Sequence, residues 1–447
     1  MQLGFSTKPT TARPRTDSRI FSALVAIVGW IALAKIAGAM KEVAVAARFG
    51  ISPVVDAYTF VFNFVTWPVA LGLSILLVIV LPLLVRSANE DRDELILFRR
   101  ETLGAMIVLS AAISVLIGGT LFVAVHWNLA HLSSAVLAQV ATIYPAMLIF
   151  VFLGLINALL AVRLMAQFKH LNSFLEGVPA AVIFIVVILA PAASIWQLVW
   201  GTAVGVALQC ALLVLALGRS VYREAPKFGL TAKSWSSVRG ALPLLGASQL
   251  VISFSDVIDQ LMVAHIGIGA NAKLGYSSRI LALLLGLGAT SISRALLPVL
   301  SDLRHQGDAE MRAVAMQWMK YLFLVGFVLA IVAWLLTPLA ISLLYERGAF
   351  GARDTSAVST VVRAGLFQLP FYLGGIVLVQ LIAIRRDYIV FFWVNLANLV
   401  VKVVGNYFLI GRFGVAGAMY STTLVLIVSS MLLLAFSLRE RSLAAND

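Results

Sequence analysis

Long apolar runs recur along this chain, and they limit its fold more than any other feature of the sequence. Each run has about 20 residues or more, enough for a helix to cross a ~30 Å hydrocarbon core. A membrane β-barrel would instead show alternating segments of about 10 residues, and the sequence shows none. We therefore predict an all-α polytopic membrane protein with twelve spans, at about residues 20–40, 57–85, 102–126, 136–162, 173–194, 197–218, 240–266, 277–300, 317–344, 356–383, 388–411 and 413–437.

The composition supports this class of protein and excludes several kinds of functional site. Of the 447 residues, 61% are hydrophobic and only 12% are charged. The single cysteine, Cys210, lies within an apolar run, which excludes an intrachain disulfide and a cysteine-based metal site. The five histidines show no ligand spacing, and no nucleotide-binding G-x-x-x-x-G-K-[ST] motif is present. We expect no metal site, no cofactor and no enzymatic reaction.

The basic residues behind the net charge of +13 are distributed unevenly between the loops on the two sides of the membrane. Most of the 33 Lys and Arg residues lie in loops on the side of the N-terminus, whereas the opposite loops carry only Lys273, Arg347, Arg353 and Arg412. This bias predicts that both termini are cytoplasmic. It also makes anionic membrane lipids, rather than nucleic acid, the expected partner of the basic loops.

The two halves of the chain resemble each other weakly. "EVAVAARFG" (42–50) aligns on "DQLMVAHIG" (259–267), and "LGLSILLVIVLP" (71–82) aligns on "LGATSISRALLP" (287–298). Six spans in each half make the repeat parallel, which is typical of transporters with a substrate path between two lobes. The predicted organisation is a cytoplasmic tail (1–19), an N-lobe (20–218), a basic cytoplasmic linker (219–239), a C-lobe (240–437) and a second cytoplasmic tail (438–447).

Four charges cluster near the end of the first span, at Lys35, Lys41, Glu42 and Arg48. A charge within the bilayer costs at least about 2.5–3.5 kcal/mol, so such residues usually face a cavity or a partner. Seven residues make about two helical turns, which puts Lys35 and Glu42 on one face and Lys41 and Arg48 on another. We interpret the two lysines as cavity cations, Glu42 as their counter-ion and Arg48 as an anchor in the headgroup region.

The second half carries its own membrane charges. Asp256 and Asp259 share a helix face, and Arg279 opens the next span, where it can pair with either acid as a structural ion pair of the C-lobe. Lys402 lies mid-span between Asn398 and Asn406 at i−4 and i+4. A mainly cationic cavity suits an anion such as a phosphate or diphosphate. An antiporter for cationic drugs would more plausibly show unpaired acids.

Three motifs resemble those of a known family. The first is "AKIAGAMKEVAVAARFGISPVVDAYTF" (34–60), the second is "YSSRILALLLGLGATSISRALLPVLS" (276–301), and the third is "LYERGAF" (344–350). Over residues 18 to 437 the chain resembles the MurJ/MviN family, lipid II flippases of the multidrug/oligosaccharidyl-lipid/polysaccharide exporter superfamily.

The resemblance implies a V-shaped bundle of two lobes around a central cavity. By motif position, Lys35, Lys41 and Arg279 would hold the diphosphate of an undecaprenyl-linked saccharide. The resemblance also implies further roles for acids and for a structural motif. The supporting acids are Glu42, Asp56, Asp256 and Asp259, and the structural motif contains Glu346, Arg347 and Gly348.

This sequence departs from the family pattern in three ways. Lysine replaces arginine at 35 and 41, which keeps the charge but loses the bidentate fork. Some members bind sodium between an acid on the seventh helix and polar groups on the eleventh. Here the acid is retained as Asp259, but Lys402 lies on the eleventh helix, between Asn398 and Asn406, so that a tethered ammonium could replace the ion. The family usually has fourteen spans, and twelve are predicted here.

The resulting expectation is a flippase of the bacterial inner membrane, with Na+ or H+ as candidate coupling ions. It would move an undecaprenyl-diphosphate-linked saccharide, lipid II or a related cell-envelope precursor, from the cytoplasmic to the periplasmic leaflet by alternating access. We expect a monomer and consider an association with glycan-synthesis enzymes as an alternative. The alternatives are a flippase for an exopolysaccharide or O-antigen type of lipid-linked oligosaccharide, a drug antiporter of the same superfamily, and a membrane scaffold without transport activity.

Overall fold

The computed structural model describes residues 14–90, 92–167, 171–218, 224–303, 307–385 and 387–438. Within these ranges the regular structure is helical, apart from one isolated bridge between Arg347 and Phe350. The helices are α1 (Pro14–Phe49), α2 (Pro53–Ile75), a π-helical turn (Leu76–Val80), α3 (Leu81–Glu90), α4 (Arg92–His126), α5 (Ser134–Ala166), α6 (Asn172–Leu175), α7 (Val178–Leu189), α8 (Ile195–Leu217), α9 (Ser234–Ala264), α10 (Ala270–Leu303), α11 (Asp308–Tyr345), α12 (Ala352–Leu366), α13 (Gln368–Ile384), α14 (Tyr388–Phe413) and α15 (Val415–Leu438).

These helices correspond to the predicted spans and confirm the predicted fold class. Among the described residues, nine helical segments are long and apolar enough to cross a bilayer. Helix α9, bent by 47° near its start, makes a tenth when it is counted as one span. Helices α1 and α10, with 36 and 34 residues, are also long enough to cross and carry the charged motifs. The chain is thus a multi-pass helical membrane protein.

Several predicted boundaries were wrong. Helix α1 continues to Phe49, well past the predicted end at residue 40, because Lys41 and Glu42 satisfy each other inside the protein and need no helix end. The fifth and tenth predicted spans are each one apolar helical segment, with a short turn at Glu176–Gly177 between α6 and α7 and at Phe367 between α12 and α13.

The connection between the halves runs along the base of the N-lobe. Residues 224–233 lack regular helix, and α9 begins at Ser234, inside the segment predicted as linker. The carboxylate of Glu101 on α4 is fully buried and accepts hydrogen bonds from the backbone N–H groups of Thr231 and Ala232 and from the Trp235 indole, each at 2.9 Å. One buried acid therefore fixes the start of the second half against the first. The domain division itself stays a prediction.

Candidate functional site

A large cavity lies between the two halves of the chain. It has a volume of about 730 Å³, with α1 and the α6–α7 turn on one side and α10 and α11 on the other. Its charged lining residues are Lys35, Glu42, Glu176 and Arg279. Its apolar lining comes largely from α11, with Leu329, Val332, Leu336, Ala340 and Leu344. The cavity therefore combines a charged region with a continuous apolar wall.

Glu42 is the electrostatic centre of this cavity. Its carboxylate forms an ion pair with the Lys41 ammonium at 2.6 Å and a second, very close ion pair with the Arg279 guanidinium. Among the described residues the partner of Arg279 lies on α1, in the other half of the chain, and is not the predicted Asp259. The side chain of Asp256, the other predicted partner, lies outside the described residues. Position along α10 fixes the face that Arg279 occupies, but the packing of α10 against α1 selects its partner.

Lys35 has a different environment from the other two predicted cations. It is exposed, lines the cavity, and makes no ion pair or hydrogen bond with any residue that the structure describes. Lys41 and Arg279, in contrast, share one carboxylate. Lys35 is therefore the cation in this region whose charge is most available to a bound anion.

Lys41 is buried and points away from the central cavity. It lines a second, smaller pocket inside the N-lobe and lies 5.5 Å from the centre of the Phe62 ring. Glu176 lines both cavities and accepts a hydrogen bond from Asn172 at 2.9 Å. The structure thus places Lys35 and Arg279 at the central cavity and Lys41 next to it.

The halves are joined at the end opposite the chain termini. The carboxylate of Asp56, in the first turn of α2, accepts hydrogen bonds from the backbone N–H groups of Gly269 and Ala272, the latter at 2.7 Å. These groups belong to the start of α10, where an acid is favoured by the helix dipole. The Tyr276 hydroxyl also donates to the Gly50 carbonyl at 3.2 Å. We call these contacts the interlobe latch.

The "ERGAF" turn packs beside this latch. Gly348 has φ +59°, and a side chain there would collide with the carbonyl of Ala47 at the end of α1. The next residue, Ala349, donates its N–H to that same carbonyl at 2.8 Å. Glu346 and Arg347 make hydrogen bonds within the C-lobe. The glycine therefore permits a backbone-to-backbone contact between the two halves.

Two histidines that showed no sequence spacing also meet at this end. The rings of His131, between α4 and α5, and His265, after α9, have centroids 4.9 Å apart. Both residues are exposed. Because 134 positions separate them in the chain, no local pattern could have indicated that they meet.

Lys402 belongs to a separate polar site in the C-lobe. Its ammonium lies 2.8 Å from the Asp259 carboxylate and 3.4 Å from the Ala418 carbonyl, and it also donates to the Thr422 hydroxyl. Asn406 donates to the same carboxylate at 2.7 Å. The third residue of the predicted stripe, Asn398, has a buried side-chain oxygen without a hydrogen-bond partner among the described residues.

The sequence also singled out Asp256 and Arg48. The side chain of Asp256 lies outside the described part of the chain. Arg48, in the last turn of α1, is half-buried and donates to the carbonyl of Ala190 at the end of α7. It therefore caps a neighbouring helix end in this structure.

Comparison with solved structures identifies the fold class. A structure described as lipid II flippase MurJ in an inward closed conformation has a TM-score of 0.77 and 18% identity, over 92% of this chain and 87% of that one. An inward-facing multidrug resistance MATE family transporter of the MOP superfamily has a TM-score of 0.69 and 10% identity, over 90% and 93%. The chain therefore shares the fold of these proteins.

Sequence comparison gives the family. The family model described as "Lipid II flippase MurJ" matches residues 45–446, and the chain belongs to this family. Probable lipid II flippases MurJ from Bdellovibrio bacteriovorus and Rhizobium tropici are each 28% identical, over 241 and 186 residues. These matches cover 53% and 41% of this chain, and 46% and 34% of the relatives. The chain thus aligns with less than half the length of either relative. The family is one of transporters rather than enzymes.

Proposed function

We propose that this protein is a flippase for a polyprenyl-diphosphate-linked saccharide in the bacterial cytoplasmic membrane. The observation that carries the proposal is the central cavity, in which the exposed Lys35 and the partly buried Arg279 lie beside a long apolar wall. Lys35 and Arg279 suit the diphosphate, because phosphate oxygens accept charge-assisted hydrogen bonds from ammonium and guanidinium groups. The apolar side chains of α11 suit the polyprenyl chain. A ligand with both parts matches the cavity better than a compact cation or a free sugar.

The ion pairs suggest how binding would be linked to movement. Arg279 is 25% exposed at its side chain and faces the cavity while it pairs with Glu42. A bound diphosphate would compete with Glu42 for this guanidinium. Competition would weaken an ion pair that joins the two halves, so that substrate binding would favour a rearrangement between them.

We propose alternating access from the cytoplasmic to the periplasmic leaflet, with both termini cytoplasmic. The positive charges of the loops support this orientation. In that orientation the interlobe latch, at the end opposite the termini, is periplasmic. The described state would then be closed toward the periplasm, and transport would require the hydrogen bonds of Asp56 and Tyr276 to open.

We propose further that Lys402 replaces an exchangeable cation. Its ammonium is held by a carboxylate, a carbonyl and a hydroxyl, which are also the oxygen ligands that a small metal cation would use. A side chain tethered in such a shell supplies the positive charge permanently. On this view the C-lobe does not need Na+ to neutralise Asp259.

The charges of the cavity count against a drug antiporter. Of its acids, Glu42 is paired with two cations and Glu176 accepts a hydrogen bond from Asn172. A site for organic cations would need carboxylates available to the ligand.

Complementation of a conditional flippase-deficient bacterial strain tests the proposal. We expect the wild-type chain to restore growth, Lys35→Ala and Arg279→Ala to fail, and Lys41→Ala to be impaired. Lys320→Ala, an exposed charge on α11 away from the cavity, is the matched control and should rescue fully. Rescue by all three cavity variants would contradict the charge-based mechanism and favour a scaffold. Absence of rescue, with loss of an exopolysaccharide in the native deletion, would identify a different glycan lipid.

A further inference from the structure

A second pocket lies inside the N-lobe, next to the central cavity. Its volume is about 290 Å³, and helices α1, α2, α5, α7 and α8 line it, together with Asn172 on α6. Glu176 and Ala180 line both cavities, so the pocket is a lateral continuation of the central one. It begins beside the Lys41–Glu42 ion pair, one residue along α1 from the acid that binds Arg279.

The pocket carries unused hydrogen-bonding capacity. Asn157 is buried and donates to the Val206 carbonyl at 3.0 Å and to Gln209 at 3.2 Å, while its own side-chain oxygen has no donor among the described residues. Asn172 is buried and donates to Glu176, and its oxygen is likewise without a described donor. Buried polar atoms normally have a hydrogen-bond partner, because a buried oxygen without one destabilises the protein. Two of them in one pocket indicate a ligand that brings donors.

Aromatic rings supply the apolar part of the same pocket. Phe62 and Phe150 both line it, with ring centroids 5.7 Å apart. A ring with hydroxyl groups on its edge can donate hydrogen bonds to the two asparagine oxygens. The C–H groups on its faces can pack against the two aromatic rings. The chemistry of the lining is thus that of a sugar unit.

A metal cation fits the pocket less well. The volume is several times the roughly 30 Å³ that a single water molecule occupies. Glu176 is the one carboxylate in the lining, and among the described residues no group of three or more His, Cys, Asp or Glu side chains could hold a metal ion. These two features favour a neutral polyhydroxylated group over an ion.

We propose that this pocket is a subsite for one sugar unit of the lipid-linked substrate, with Asn157, Asn172 and Gln209 as its recognition residues. The inference rests on the proposed function, since the diphosphate in the central cavity would place the attached sugar beside Glu176. Lys41, between the two cavities, would contact the sugar side of the diphosphate. The subsite would select for the presence of a sugar, whereas Lys35 and Arg279 would bind the diphosphate whether or not it carries one.

Binding of two matched lipids to the purified full chain in nanodiscs tests the subsite. One lipid is a polyprenyl diphosphate without a sugar, and the other is the same lipid with a single N-acetylated hexosamine. We expect the wild type to bind the glycosylated lipid about tenfold more tightly, the effect of one or two net hydrogen bonds. Asn157→Leu and Asn172→Leu should lose this difference while keeping their affinity for the sugar-free lipid. Thr142→Val, at an exposed position of α5, is the matched control and should behave as wild type.

Gln209→Leu provides a third variant at a half-buried position, in case Asn157→Leu does not fold. Equal affinities of the wild type for the two lipids would overturn the subsite and leave the proposed function standing, provided that Lys35→Ala weakens both. An equal loss for both lipids in the asparagine variants and in Gln209→Leu would also overturn it. Failure of the wild type to bind either lipid would remove the proposed function and the subsite together.

Discussion

Glu42 on α1 and Arg279 on α10 form an ion pair between the two halves of the protein, although 237 residues separate them in the chain. The same carboxylate pairs with Lys41 at 2.6 Å. Two cations thus share one acid at the wall of the central cavity. Replacement of Glu42 should therefore affect the stability of the protein, whereas replacement of Lys35, which takes no part in these ion pairs, should affect substrate binding.

Replacement of Glu42 should destabilise the protein. Glu42→Gln keeps the shape of the side chain but leaves Lys41 and Arg279 without their shared counter-ion, and an uncompensated buried charge costs about 3–5 kcal/mol. We expect a Tm several degrees lower in detergent, measured by intrinsic tryptophan fluorescence. The double variant Glu42→Gln with Lys41→Met should recover part of this loss. Glu310→Gln, an exposed acid on α11, is the control, and an equal effect there would contradict the prediction.

Replacement of Lys35 should lower the affinity for the substrate without lowering the stability of the protein. Since Lys35 makes no described ion pair or hydrogen bond and interacts only over a longer distance with the charge of Glu176, Lys35→Ala should leave Tm within about a degree of wild type. Loss of a charged hydrogen bond to a ligand costs about 1.5–3 kcal/mol, which corresponds to roughly 10- to 150-fold in affinity for a polyprenyl diphosphate. Lys35→Arg should retain or improve binding, because a guanidinium contacts phosphate through two parallel donors. A large loss of Tm in Lys35→Ala would show that the residue is structural.

The two histidines offer a reporter for the interlobe latch. In a Cys210→Ser background, His131→Cys with His265→Cys should be cross-linked by a short bifunctional thiol reagent, detected as a shift in mobility on denaturing gels. Asp56→Asn weakens the acceptor of two backbone N–H groups, so we expect slower cross-linking in that variant. Asp302→Asn, an exposed acid on α10, is the control. Unchanged cross-linking in Asp56→Asn would show that the other contacts hold this end closed.

Removal of the Lys402 ammonium should create a dependence on added cations. Lys402→Ala leaves Asp259 beside the Ala418 carbonyl and the Thr422 hydroxyl without the ammonium, and the protein should lose stability. Since a bound ligand stabilises the folded state by mass action, Na+ should raise the Tm of this variant more than choline does. The wild type should respond equally to both salts. A stronger response of the wild type to Na+ than to choline would contradict the proposed role of Lys402.

The buried Glu101 carboxylate should protect the connection between the two halves of the chain from proteolysis. Glu101→Gln can accept fewer hydrogen bonds from Thr231, Ala232 and Trp235, and it loses the contact of its charge with Lys227 at 3.5 Å. We expect faster tryptic cleavage at Lys227 and Lys233, measured by mass spectrometry of the fragments. Glu94 accepts hydrogen bonds from the backbone N–H and the hydroxyl of Ser234 nearby, and Glu94→Gln gives a comparison. We expect a smaller effect there, because Glu101 holds Thr231, Ala232 and Trp235 at once.

The sequence by itself determined the class of fold and the location of the charged residues along each helix. Hydropathy was sufficient to predict the helices, because a segment in lipid must satisfy its backbone hydrogen bonds internally. The cost of a membrane charge was enough to single out Lys35 as a cavity residue, and the motifs were enough to indicate the family. The boundary of α1 was missed, because Lys41 and Glu42 neutralise each other and make a charged stretch compatible with a buried helix.

Only the tertiary structure decided which residues meet. Helical periodicity fixes the face on which Arg279 or Lys402 lies, but it carries no information about the helix packed against that face. Glu42 rather than Asp259 therefore became the partner of Arg279, and Asp259 became the partner of Lys402. The N-lobe pocket arises in the same way, since Asn157 and Asn172 come from different helices and converge only when α5, α6 and α8 pack together.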